Sequence, residues 1–71
     1  MSVVAIGERA QLEGFALAGV EVIDAADGQA AQRAWDGLAA DVEFVLLDEA
    51  AHDALAEKLS QKTLLWVVLP R

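Results

Sequence analysis

The chain has 71 residues, 56% of them apolar, with twelve acidic side chains against five basic ones and a formal charge of −7. That length supports one domain near the lower end of what folds unaided, and that charge excludes a protein that tracks nucleic-acid phosphates or lies as a basic helix on an anionic leaflet. No cysteine is present, which excludes a disulfide framework and a thiolate metal site.

Val3-Val4-Ala5-Ile6 is a short apolar run closed by Gly7, suited to a central strand, and no basic region of a signal peptide precedes it. Residues 8–18 have helix length, and Gly19 reads as the stop that lets the chain turn left-handed into the next strand. Val20-Glu21-Val22-Ile23 alternates, with Glu21 as the charge that guards an edge strand. Asp24 and Asp27 are alternative N-caps for an alanine-rich helix over 29–40. Its stripe of Ala31, Ala34, Trp35 and Leu38 has the i, i+3, i+4, i+7 spacing. Val42 to Leu47 is the third strand. Asp48 then caps a helix running to Lys62, with Ala51, Leu55 and Leu59 inward and Lys58 and Lys62 near its C-terminus, where cations suit the helix dipole. Leu64 to Leu69 is the fourth strand, ended by Pro70, and this longest clean apolar run is far below the ~20 residues of a membrane span.

The order βαβαβαβ predicts a single α/β domain over 1–71, with a four-stranded parallel sheet covered on both faces. Right-handed crossovers favour strand order 2-1-3-4, a flavodoxin-like (Rossmann-like) three-layer arrangement. A soluble, cytoplasmic chain is expected. Its apolar content exceeds what one small core readily hides, which points to a partner.

The first helix is informative. At 100° per residue Ala10, Gly14, Leu17 and Ala18 fall on one side with Phe15 on its flank, Leu12 and Ala16 lie towards the other side, and Arg9 and Glu13 form a polar strip. A mid-helix glycine costs roughly 1 kcal/mol against alanine, so the small residues four apart read as the side pressed closely on the sheet. The apolar arc is wider than one sheet face requires. Two readings stand: a tolerant alanine-rich surface, or a docking surface using Leu12 and Ala16. Trp35 and Trp66 are the large anchors. Trp66 is the more suggestive, because an unguarded apolar edge strand is an aggregation hazard unless a partner or a second copy of the chain covers it.

Three carboxylates are the candidates for chemistry. Ligands of open parallel sheets bind outside the carboxyl ends of the strands where the chain order reverses, here between strands one and three. Glu8 follows strand one, and Asp48 and Glu49 follow strand three, so convergence there would offer oxygen ligands to Mg²⁺ or a phosphoacceptor aspartate. The competing reading makes them helix caps. Phe44-Val45-Leu46-Leu47-Asp48-Glu49 also has the form of a Walker B segment, but no G-x-x-x-x-G-K-[ST] loop accompanies it, and Gly14 and Gly19 lie within and after the helix where a dinucleotide fingerprint precedes it. His52 is the single histidine, without the partners that metal or triad chemistry needs. No catalytic residue and no cofactor is assigned.

Ile6-Gly7-Glu8, Gly14-Phe15-Ala16-Leu17-Ala18-Gly19-Val20, Phe44-Val45-Leu46-Leu47 and Val67-Val68-Leu69-Pro70 together resemble the F-type stalk component of V/A-type rotary ATPases and ATP synthases. The resemblance spans nearly the whole chain and covers that family's N-terminal globular domain. It makes Gly7, Gly14, Phe15, Leu17, Ala18 and Gly19 the motif residues. It implies a non-catalytic component of the central stalk that packs with the coiled-coil D-type component and helps to couple ATP chemistry to proton or sodium transport. Such a protein would be cytoplasmic, attached peripherally to a membrane complex. Glu8 stands where an aspartate is more usual, Val68 stands near the position of a frequent glutamate, and the chain ends at Arg71 where the family continues into a helical segment. The alternative from a different class is a receiver-like regulatory domain phosphorylated on Asp48, although receivers carry an acidic pair after strand one and a fifth strand bearing a lysine.

Overall fold

Strands and helices alternate along residues 2–70, which the structure, a computed structural model, describes, with Leu17 described by its backbone alone. The elements are β1 (Ser2–Gly7), α1 (Arg9–Leu17), β2 (Glu21–Asp24), α2 (Gly28–Asp36), β3 (Val42–Leu47), α3 (Glu49–Leu55), a 3-10 turn at Leu59–Gln61, and β4 (Leu65–Val68). All four strands are parallel in the order β2-β1-β3-β4, the arrangement that right-handed crossovers favour for this connectivity. The chain is therefore an α/β protein of flavodoxin-like topology. No helix among the described residues is long and apolar enough to cross a membrane.

Two helices are shorter than their apolar stripes suggest. α2 stops at Asp36, because Gly37 disfavours further helix and the chain turns with Val42 N–H on the Ala39 carbonyl. Leu38 still packs against the core from the loop, so the stripe outlasts the helix that was expected to carry it. α3 ends at Leu55 rather than Lys62. Lys58 N–H bonds the Leu55 carbonyl at 2.7 Å and Gln61 N–H bonds the Lys58 carbonyl at 3.0 Å, i to i+3 spacings that tighten the chain and keep Leu59 inward. Lys58 consequently lies beyond the end of α3, and Lys62 closes the 3-10 turn instead of an α-helix. Lys58 Nζ instead grips Asp36 at 2.8 and 3.0 Å, and Lys62 Nζ lies 5.8 Å from the centre of the Trp35 ring.

The main core lies on one face of the sheet. Val4, Ile6, Val45 and Leu47 point from β1 and β3 into a cluster with Ala31 and Trp35 of α2 and Ala51 and Leu55 of α3. Trp35 is fully enclosed, and its Nε1 has no hydrogen-bond partner among the described residues. Leu12 and Ala5 are equally enclosed yet lie outside that cluster, because α1 crosses back from β1 to β2 over the opposite face. One face thus carries two helices and the other carries one.

α1 has the opposite phase to the one its glycine implies. Leu12 is 0% exposed and Phe15 half-buried, whereas Ala10, Gly14 and Ala18 face out, and a Cβ placed on Gly14 would meet nothing within 4 Å. The small-residue side is the solvent side, and Leu12, expected to face outward whether that side is a tolerant surface or a docking one, is core. An apolar arc this wide fits more than one phase, and the phase that buries the larger side chain prevails. The inward placement expected for the Leu17 side chain lies outside the described residues. Gly19 behaves as expected: φ is 92°, its N–H bonds the Ala16 carbonyl, and Val20 N–H bonds the Phe15 carbonyl, which together form a Schellman stop.

Candidate functional site

β1 and β3 are neighbours whose following helices leave on opposite faces, so the gap between their carboxyl ends is the switch point of the sheet. Asp48 occupies it. Its Oδ1 accepts the Ala51 N–H at 2.7 Å and so caps α3, and its Oδ2 accepts the Glu8 N–H at 2.9 Å at the mouth of α1. Asp48 is only 5% exposed. Gly7 admits it: a Cβ there would sit 2.5 Å from the Asp48 Cγ and 2.6 Å from Oδ2. One side chain thereby ties the first crossover to the third.

The three sequence-predicted acids therefore meet differently from a metal site. Glu8 reaches Asp48 through its backbone N–H, with its side chain exposed, and Glu49 opens α3 from an exposed position. Among the described residues no three His, Asp or Glu side chains gather closely enough to hold a metal ion. Asp48, Glu49, Gln11, Ala50 and Pro70 line a shallow cleft of about 390 Å³ at this end of the sheet. A phosphoacceptor needs an exposed oxygen, and both Asp48 oxygens already hold backbone N–H groups. Those are donors a bound phosphate would use, and the protein's own carboxylate already occupies them.

Asp24 has a role that its sequence position concealed. Asp27, not Asp24, caps α2, accepting Ala30 N–H at 2.7 Å, while Asp24 Oδ1 accepts the Arg9 N–H at 3.2 Å. The start of α1 has no side-chain cap of its own from Glu8, and it borrows acids from the ends of β2 and β3. Parallel strands put these ends side by side, an adjacency that local sequence does not carry. His52 lies 3.7 Å from the Asp53 carboxylate, and its ring is 5.4 Å from that of Trp66.

The other unusual region is β4. It pairs with β3 alone, in the register Phe44–Leu65, Val45–Trp66, Leu46–Val67 and Leu47–Val68. Residues paired across parallel strands share a face, so Trp66 and Val68 belong to the side of α2 and α3, where His52 shields Trp66 to 38% exposure. Leu65 and Val67 share the α1 side with Phe44 and Leu46, and they are 68% and 45% exposed. Trp66, the residue singled out from sequence, is thus less exposed than its two neighbours. Strand periodicity with the register could have identified them. Ala16, the other candidate contact, is exposed on α1.

The fold thus defines an α/β protein with a switch point bridged by Asp48 and a half-covered sheet face. Compared with protein-family models, with curated proteins and with solved structures, the chain matches none.

Proposed function

We propose that this chain is a non-catalytic docking component of a larger assembly, and specifically a counterpart of the F-type component in the central stalk of a V/A-type rotary ATPase. In that role it binds a long coiled-coil protein resembling the D-type stalk component, in the cytoplasm beside a membrane complex. Turning with the stalk, it helps to couple ATP hydrolysis or synthesis to proton or sodium transport. The observation that carries the docking reading is the apolar strip of Leu65 and Val67, exposed beside a switch point that Asp48 bridges. An exposed apolar surface on a chain of charge −7 is a marker of association, and the Asp48 oxygens beside it are engaged by backbone N–H groups. The specific identity rests on the Gly14–Val20 element, the four-stranded order and the Leu69-Pro70 ending.

Co-expression with a D-type coiled-coil stalk protein tests it. A complex that survives size-exclusion chromatography, with no ATP hydrolysis by the chain alone, is the expected result, and two proteins that elute separately overturn the assignment. Acetyl-phosphate labelling in Mg²⁺ that disappears in Asp48→Ala would favour the receiver alternative instead.

A further inference from the structure

We draw no further inference here: the strongest candidate, the bare face of β3 and β4 on the α1 side with Leu65 and Val67 exposed on it, carries nothing beyond the docking reading, because nothing in the structure shows what covers it.

Discussion

Gly7 and Asp48 should behave as one energetic unit. A methyl group on Gly7 would lie 2.5 Å from the Asp48 Cγ and 3.0 Å from its Cβ, so Gly7→Ala must expel the carboxylate. Expulsion forfeits the α3 cap, about 1 kcal/mol, and the charge-assisted bond to the Glu8 N–H, about 1.5–3 kcal/mol. The sum is roughly 2–4 kcal/mol, set against a total stability of about 4–10 kcal/mol for a chain of this length. Asp48→Ala loses the same two bonds and should cost about the same. The double variant should then cost little more than either single one, with a coupling energy of about 2 kcal/mol or more. Gly7 also has φ 159°, at the margin of the region that glycine enters freely. That contribution is common to the Gly7→Ala single and double variants and cancels in the cycle. Urea titrations followed by far-UV circular dichroism measure all four corners. Additive single effects, or a Gly7→Ala variant as stable as the parent, would refute the linkage.

Gly14→Ala should raise stability by about 0.5–1 kcal/mol, because the site is helical and open; had α1 packed by its small-residue side, the same change would destabilise, so the sign of the urea midpoint shift decides. Leu12→Ala should cost about 2–4 kcal/mol by thermal or urea unfolding, whereas Ala16→Ser at an exposed helical site should stay within about 0.5 kcal/mol. Asp27→Ala should cost about 1 kcal/mol through loss of its bond to Ala30 N–H, read from the same urea titration. The Lys58–Asp36 pair, partly exposed on both sides, should contribute no more than about 1 kcal/mol in a double-mutant cycle, and less in high salt.

The topology was legible because each strand is a short apolar run and each crossover is long enough for a helix; connectivity and handedness then leave few arrangements. β3 is bounded as expected, since Asp41 precedes it and the cap Asp48 follows it. Helix ends were less legible. Leu38 and Leu59 continue the apolar spacing of α2 and α3 but do so from a loop and a 3-10 turn, and a stripe records burial rather than backbone type. The phase of α1 was not legible at all. Alanine and glycine fit either side of a helix, so Leu12 had to be weighed against three small residues, and the tertiary packing chose Leu12. At the site, the capping role of Asp48 was readable from the strand-to-helix step. Its second bond, to Glu8, spans 40 residues and depends on β1 and β3 being adjacent.

The apolar excess in the composition has a topological origin. In the order β2-β1-β3-β4, only the step from β1 to β2 runs one way across the sheet, and the steps from β2 to β3 and from β3 to β4 run the other way. Right-handed crossovers therefore put α2 and α3 on one face and leave α1 alone on the other. A single helix covers about two strands, so the three crossover helices by themselves leave two strands of that face uncovered. The bare strands are β3 and β4, and their paired residues on that face are Phe44, Leu46, Leu65 and Val67, with no polar residue among them. The two sheet edges are unequal in the same sense: β2 ends in Asp24 and begins with exposed Glu21, while β4 has no charge along its length. A sequence selected to stand alone would place polar side chains at Leu65 and Val67 at little cost to the core, since both already face solvent. Their apolar character therefore owes little to the stability of the isolated chain, and the docking reading proposed above is the one that gives it a use.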